Sequence, residues 1–227
     1  MGWVKPRRQQ GLTLVQVSVV LVAAVLIVVV ATVSWHLYKD WRAAGFRSDL
    51  SQMESWLWQF KDRKQRWPGD CDRDGIIGYE PPHSRIADEV PSRAADPDET
   101  ACGHGDENHQ DTVFSDLRLS GIVSSSSTND ELAAHRFGGH FLVGSGAAEG
   151  TLHNVIVAYR VPTWAAWRLD RYYDGVEGGD AGRIRRWDAG VSGGPWPKDA
   201  ESDEKVAVAF FFDKPLPAKD DQDESAD

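Results

Sequence analysis

Residues 12–33 read LTLVQVSVVLVAAVLIVVVATV, and these 22 residues decide how the whole chain is organised. Four polar residues interrupt the apolar side chains, and no Asp, Glu, Lys or Arg occurs from position 9 to position 38. About 20 apolar residues in a helix cross the hydrocarbon core of a bilayer, which is about 30 Å thick. The sequence therefore predicts a helix that can span a membrane.

Charge is distributed unevenly around this apolar stretch. The 227 residues include 25 basic and 35 acidic side chains, for a formal net charge of −10. Lys5, Arg7 and Arg8 place +3 before the stretch, so −10 minus +3 leaves −13 after it. The positive-inside rule then predicts a cytoplasmic amino terminus and an exported acidic body. That acidic body argues against general nucleic-acid binding, because neutralising phosphates requires a basic face.

A secretory signal peptide is the alternative interpretation, since it also has basic residues before an apolar segment. The apolar run here is longer than the usual segment of about 7 to 15 residues, and no small-residue cleavage site follows it. His36, Tyr38 and Trp41 follow instead. The pattern favours a retained helix over removal by signal peptidase.

The junction at residues 7–21, RRQQGLTLVQVSVVL, resembles the processing signal of type IV pilins and type II secretion pseudopilins. That signal is a basic leader ending in Gly, then a residue such as Phe or Leu, then T-L-x-E and an apolar helix. The resemblance implies that prepilin peptidase cuts between Gly11 and Leu12 and that the new amino-terminal Leu12 is N-methylated. It covers roughly the first 35 residues.

One position departs from the family pattern, because the fifth mature residue is Gln16 where the family normally has Glu. In the family this carboxylate is thought to neutralise the amino terminus of a neighbouring subunit inside the apolar filament core. An unpaired charge there costs several kcal/mol, and Gln cannot cancel it. Family members that lack the Glu are typically at the filament tip, so the resemblance implies a minor or tip subunit. An abundant subunit that tolerates Gln is the alternative.

The helical pattern continues beyond the apolar stretch and indicates the fold class. Apolar residues recur every three or four positions up to Trp67-Pro68-Gly69, which ends the helix. The resulting expectation is an α+β fold, with a long pilin-like N-terminal α-helix, transmembrane in its first half, packed on a small antiparallel β-sheet. The apolar positions of the second half are Phe46, Leu50, Met53, Leu57 and Phe60.

The remaining sequence alternates short strands with loops and short helices. We therefore divide the chain into a leader peptide (1–11), a transmembrane or filament-core half of the helix (12–38), an amphipathic half (39–66), a periplasmic globular domain (67–218) and a disordered acidic tail (219–227). The predicted strands are residues 140–143, 152–160, 183–187 and 205–212, and the predicted short helices are residues 112–119 and 163–173.

The two cysteines, Cys71 and Cys102, lie in the part of the chain that is expected outside the cytoplasm. Export into an oxidising compartment favours a disulfide between them. There is no C-x-x-C pair, so a zinc or redox-active site is disfavoured.

Cys71 lies within the acidic segment GDCDRDGIIGYE, residues 69–80. Asp70, Asp72 and Asp74 at positions 1, 3 and 5, followed by a glycine, match the first half of a calcium-binding loop, in which the Ile76 carbonyl is the next ligand. The second half does not match, because position 12 is Pro81 and not the bidentate Glu. Calcium binding and an acidic turn next to a disulfide therefore remain two open interpretations.

Two other groups of residues suggest metal binding less strongly. Asp170, Asp174 and Asp180 surround a glycine-rich turn, for which a plain turn is favoured over a second cation loop. Five histidines lack the H-E-x-x-H spacing that places two imidazoles on one helical face, so we expect them in solvated loops. They are His104, His109, His135, His140 and His153.

The resemblance implies a structural role in assembly. No G-x-S-x-G, P-loop or Gly-rich dinucleotide turn is present, so no enzymatic activity is expected. The implied partners are other pilin or pseudopilin subunits, prepilin peptidase and an assembly platform in the bacterial inner membrane. A periplasmic ligand-binding or enzymatic domain that keeps its membrane anchor is the alternative, and a DNA-receptor pilin would require Arg183, Arg185 and Arg186 to form one basic strip.

Overall fold

The structure, a computed structural model, describes residues 14–85, 101–103, 109–175, 178–190, 193–199 and 202–213. The leader peptide and the acidic tail lie outside these residues. The described elements in chain order are α1 (Leu14–Lys64), α2 (Thr112–Leu119), α3 (Asn129–Ala133), β1 (Ala134–His135), β2 (Gly139–Ala148), β3 (Thr151–Pro162), α4 (Thr163–Tyr173), β4 (Ile184–Arg186), a 3-10 helix (Trp187–Ala189) and β5 (Lys205–Phe211).

The first part of α1 belongs to a unit of its own, residues 1–41, separate from the unit formed by residues 42–227. Every residue from 14 to 38 is exposed. The most apolar 18-residue window of this helix has a mean hydropathy of 3.0, and none of that window is buried. The predicted helix is therefore present, and its length and composition suffice to cross a membrane.

The second part of α1 packs on the sheet through the predicted apolar stripe, whose five side chains are each at most 2 % exposed. Phe46 stacks on Phe141 of β2 with ring centroids 5.9 Å apart. The helix ends where the backbone of Gln65 adopts a positive φ of 57°. The Trp67 ring then packs edge-on against the Trp58 ring of the helix, with ring centroids 4.8 Å apart. The expected α+β fold is confirmed.

In the part of the chain that the structure describes, five antiparallel strands form the sheet in the order β1-β2-β3-β5-β4. The central β2–β3 hairpin closes through Glu149 and Gly150, which both have positive φ, 53° and 76°. Two such residues in a two-residue loop match the right-handed twist of the flanking strands. The hairpin register pairs Ala148 with Thr151.

The two faces of the sheet bury two different sets of side chains. In β5, Val206, Val208 and Phe210 join the cluster that contains the α1 stripe, whereas Ala207, Ala209 and Phe211 join a second cluster. Alternation with a period of two residues produces this division, because successive side chains of a strand point to opposite faces. The sheet is therefore buried on both sides.

The second face is covered by residues 79–83 and by the indole of Trp187. Trp187 Nε1 donates to the carbonyls of Pro81 and Pro82, at 3.2 and 3.1 Å. Two glycines of β2 permit this close approach. The Tyr79 carbonyl lies against Gly144, and the Trp187 ring lies against Gly146, so that a Cβ at either position would collide with them.

The short helices α2 and α4 have the predicted bounds, and the four predicted strands are present with shifted ends. Sequence reasoning missed α3 and β1. Helix α3 begins with a capping box, in which the Thr128 hydroxyl accepts from the Glu131 amide and the Glu131 carboxylate accepts from the Thr128 amide. The T-x-x-E spacing is the signal that could have located it.

A valine at position 146 should destabilise the fold without touching the face that packs on α1. We expect Gly146→Val to lower the free energy of unfolding by about 1–3 kcal/mol, because the Trp187 ring must move out of a packed site. Urea denaturation of the full chain in detergent measures this. The control Leu152→Ala, at a side chain that is 52 % exposed, should change stability by less than about 0.5 kcal/mol. Equal effects of the two substitutions would contradict the role assigned to Gly146.

Candidate functional site

The first candidate site is the exposed apolar part of α1. Its described polar groups include the hydroxyls of Ser18 and Thr32, which donate to the backbone carbonyls of Val15 and Val29 at 2.8 and 2.9 Å. Hydroxyls that bond within their own helix need no partner in an apolar environment. Gln16 lies on the same helix and is exposed. The predicted cleavage and methylation residues, Gly11 and Leu12, lie outside the described residues.

Aromatic side chains follow directly after the apolar part. Trp35, Tyr38 and Trp41 are 54 %, 46 % and 68 % exposed. The rings of Trp35 and Tyr38 have centroids 6.1 Å apart. Trp and Tyr at the end of an apolar helix are typical of a membrane–water interface. This helical surface can therefore be covered by lipid or by other apolar helices.

The second candidate site is the acidic loop, residues 69–78, directly after α1. Its carboxylates accept hydrogen bonds from the loop's own backbone: the Gly75 amide donates to Asp70 Oδ2 (3.2 Å), the Asp74 amide to Asp72 Oδ1 (3.3 Å) and the Ile76 amide to Asp74 Oδ1 (2.7 Å). One oxygen of each of the three carboxylates lies within 4.8 Å of the others. Among the described residues, this is the one group of side chains whose spacing suits a metal ion.

Asp70 differs from the other two carboxylates in its environment. Its side chain is only 2 % exposed, whereas Asp72 and Asp74 face solvent. Asp70 Oδ1 has no hydrogen-bond partner among the described residues. Burial raises the pKa of this carboxyl, and backbone hydrogen bonds, of which that from Gly75 has the largest effect, offset only part of the rise. A buried carboxylate oxygen without a partner is unfavourable unless a cation or a donor reaches it.

A buried asparagine of the sheet clamps the loop. Asn154 of β3 is fully buried. Its Oδ1 accepts from the Ile77 amide at 2.8 Å, and its Nδ2 donates to the Gly75 carbonyl at 2.9 Å. Asp213 Oδ2 accepts from the same Nδ2 at 2.9 Å and orients the amide. The backbone on both sides of Ile76 is therefore held to the sheet.

The start of the loop is tied to α2 and to the disulfide. Asp116 Oδ2 accepts from the Gly69 amide at 2.9 Å and from Arg66 Nη1 at 2.7 Å. The predicted disulfide between Cys71 and Cys102 is present, with Cα atoms 5.1 Å apart. The loop is thus fixed at both ends, by α2 at its start and by β3 at its end.

Asn154 and Asp116 are the functional residues that sequence reasoning missed. Asn154 lies 77 residues from its loop partner Ile77, and Asp116 lies 47 residues from its loop partner Gly69. The local signal for Asn154 is a polar residue directly before the apolar run of β3, residues 155–158. Pro81, at position 12 of the calcium-loop pattern, belongs to the cover of the sheet, where its carbonyl accepts from Trp187.

In the glycine-rich turn, where a plain turn is favoured over a second cation loop, Asp170 and Asp174 both accept hydrogen bonds. Asp170 Oδ2 accepts from Trp196 Nε1 at 2.6 Å and from the Gly178 amide at 2.9 Å. The two oxygens of Asp174 accept from the amides of Arg183 and Ile184. These carboxylates organise the turn through its backbone, as the favoured interpretation expects.

The histidines differ from the expectation of solvated loops. His135 and His153 are each only 6 % exposed, so the expectation is wrong for these two. His135 Nε2 lies 2.8 Å from the Tyr159 carbonyl, and its Nδ1 accepts from the Phe137 amide. These contacts require the neutral ring with the proton on Nε2, and burial lowers the pKa of His135 to about 4. His140 lies 2.7 Å from an Asp130 carboxylate oxygen, and His104 lies outside the described residues.

The arginines around β4 are engaged in separate ion pairs. Arg183 lies 3.8 Å from a Glu54 carboxylate oxygen. Arg185 is buried and bonds Glu149 at 2.9 Å. Arg186 pairs with Asp188 at 3.1 Å. Each positive charge is matched locally, so these three residues do not form the open basic strip that DNA binding requires.

Comparison with protein-family models, curated proteins and solved structures found no match to this chain.

Removing the disulfide should destabilise the domain by a defined amount. We expect the double substitution Cys71→Ser and Cys102→Ser to lower the free energy of unfolding by about 3 to 4 kcal/mol, because the bridge closes a loop of about 30 residues in the unfolded chain. Chemical denaturation under non-reducing conditions measures this value. Adding a reductant should lower the stability of the wild type but leave the double variant unchanged. A double variant as stable as the wild type would contradict the expectation.

Asp170 should make stability depend on pH in the direction opposite to that of a salt-bridged carboxylate. Burial, with a smaller contribution from the Asp174 carboxyl, raises the pKa of Asp170 to about 6, although the hydrogen bonds from Trp196 and Gly178 lower it. An unfolded Asp has a pKa of about 3.9. The folded state therefore binds more protons between these values, and the stability of the wild type falls as pH rises through this interval.

The variant Asp170→Asn isolates this effect, because an amide oxygen can still accept from Trp196 and Gly178. The stability of the wild type relative to that of the variant should decrease from pH 4 to pH 6 and then level off. Urea denaturation at several pH values measures the difference. Comparing the two proteins at each pH removes the contribution of His135, which has the opposite sign. A difference independent of pH would contradict the assignment.

Proposed function

We propose that this chain is a structural subunit, minor or at the tip, of a type IV pilus or type II secretion pseudopilus. It is inserted in the bacterial inner membrane as a prepilin and processed by prepilin peptidase after Gly11. The observation that supports this most is that one helix carries both an exposed apolar segment and the apolar stripe of a folded domain.

The shared helix favours a filament subunit over an ordinary anchored domain. A tether serves only to hold a domain at the membrane, so nothing requires the domain's core to be built from it. Here α1 is helical from Leu14 to Lys64, and its second part supplies Phe46 to Phe60 to the core. A helix built in this way can leave the bilayer and pack its apolar surface against other such helices while the domain stays folded.

The apolar segment requires a covering surface in every state of the protein. Side chains such as Leu21, Leu26 and Ile27 are about 60 to 70 % exposed. Lipid covers them in the membrane, and neighbouring helices cover them in a filament. The basic leader supports a cytoplasmic amino terminus and a periplasmic domain, by the positive-inside rule. The disulfide agrees with that oxidising location.

Gln16 is the residue that supports a minor or tip position over a major one. In the family, the carboxylate of the fifth mature residue neutralises the amine of a neighbouring subunit, and the uncharged Gln16 cannot do so. At the tip, no further subunit contributes an amine to be neutralised. The chemistry of such a subunit is assembly, and its partners are other pilin-like subunits, prepilin peptidase and the inner-membrane platform.

Processing at the junction tests this proposal. When the full chain is co-expressed with an active prepilin peptidase, we expect intact-mass and amino-terminal analysis to show a chain that begins at methylated Leu12. Gly11→Ala should block this cleavage, because the resemblance places the glycine at the scissile bond. The matched control Gly2→Ala, in the same leader, should be processed normally.

A wild-type chain that retains Met1 in the presence of active peptidase would refute the proposal. It would favour the alternative, a periplasmic ligand-binding or enzymatic domain that keeps its anchor.

Processing alone does not establish assembly. If the chain is processed, its recovery in sheared filaments would establish assembly.

A further inference from the structure

We propose that the acidic loop binds one calcium ion through carboxylate oxygens of Asp70, Asp72 and Asp74 and the backbone carbonyl of Ile76. This inference is independent of the filament function proposed above. It rests on the geometry of the loop and on the unpartnered oxygen of Asp70.

The buried Asp70 oxygen is the observation that points to a ligand. Oδ2 of this carboxylate already accepts from the Gly75 amide, whereas Oδ1 has no partner among the described residues. The side chain is 98 % buried, since its exposed fraction is 2 %. An ion seated between the three carboxylates would supply the partner that this oxygen lacks.

The proposed metal ligands favour a hard cation. All the proposed ligands are oxygens, and both cysteines are consumed in the disulfide. Oxygen ligands are those that Ca²⁺ and Mg²⁺ prefer, whereas zinc favours nitrogen and sulfur. Mg²⁺ demands near-ideal octahedral geometry and gives up its water reluctantly. Three carboxylates in a short loop suit the looser and larger coordination sphere of Ca²⁺.

The backbone already has the conformation that such a loop requires. Gly75, at position 6, has φ of 93°, which glycine adopts without strain. Asn154 bonds the Gly75 carbonyl and the Ile77 amide. The residues that flank Ile76 are therefore held before any ion binds, which reduces the entropic cost of ordering the site. The Asn154 side chain of the sheet thus supports this loop.

The loop supplies fewer ligands than a calcium ion takes, so we expect weak binding. Ca²⁺ takes 6 to 8 oxygen ligands, whereas this loop supplies four groups, so water fills the other positions. Asp72 and Asp74 are exposed. We therefore expect a dissociation constant on the order of 10⁻⁴ to 10⁻³ M, as in extracellular calcium modules.

Calorimetric titration of the full chain in detergent with calcium chloride tests the proposal. The wild type, first stripped of metal with a chelator, should bind about one ion per chain in the expected range of affinity. Asp72→Asn and Asp74→Asn should each weaken binding about tenfold or more, because each removes a charged ligand. Both side chains are exposed, and Asn keeps the oxygen that accepts the loop hydrogen bond, so both variants should fold.

The control Asp62→Asn removes the same charge from an exposed position on α1 outside the loop. It should bind calcium as the wild type does. Absence of saturable binding at about 5 mM calcium would overturn the proposal. So would loop variants that bind as well as the wild type, or a control variant that weakens binding as much as they do, since either result indicates a diffuse acidic surface.

Two further measurements decide between specific calcium binding and other effects. Titration with magnesium chloride should show binding about tenfold weaker or none, and equal affinity would overturn the assignment to calcium. Saturating calcium should raise the Tm of the wild type and of Asp62→Asn, because the ion binds only the folded loop. A similar rise of Tm in Asp72→Asn and Asp74→Asn would overturn the proposal.

Discussion

The packing of residues 42–64 of α1 on one face of the sheet is the interaction on which the rest of the structure depends. Each buried large apolar side chain contributes about 1.5–3 kcal/mol, so the five residues of the stripe together contribute on the order of 10 kcal/mol. This is comparable with the net stability of a whole domain. The helix therefore cannot separate from the sheet without unfolding the domain. The same helix, α1, also carries the exposed apolar segment.

The segment after α1 is held differently, by a few polar contacts and one covalent bond. Its acidic residues cannot form an apolar core, so the loop depends on Asp116 at its start, on Asn154 at its end and on the disulfide between them. Buried polar side chains of this kind fix one geometry, because each unsatisfied group carries a penalty. Oδ1 of Asp70 is the exception within the loop, and one oxygen of this carboxylate lies within 4.8 Å of the other two carboxylates. Apolar packing thus stabilises the body, whereas polar contacts shape the candidate metal site.

Local patterns predicted most of the elements, and each error has a physical cause. The spacing of Phe46, Leu50 and Leu57 identified the buried face of the helix, because helical periodicity depends only on nearby residues. Helices α2 and α4 were found from their starts and ends. Helix α3 was missed because its five residues are too short to show a period. The burial of His135 was missed because it depends on the Tyr159 carbonyl, which lies 24 residues away.

The sequence by itself determined the exposed apolar helix, the division into basic leader, apolar segment and acidic body, the pairing of the only two cysteines and the three carboxylates of the loop. All of these follow from composition and short spacing along the chain. Only the tertiary structure decided that Asn154 and Asp116 clamp the loop, that Asp70 is buried while Asp72 and Asp74 are exposed, and that the β4 arginines are paired. The physical reason is that burial and hydrogen bonding depend on which distant segments meet, and strand pairing brings those segments together over separations that local periodicity does not record.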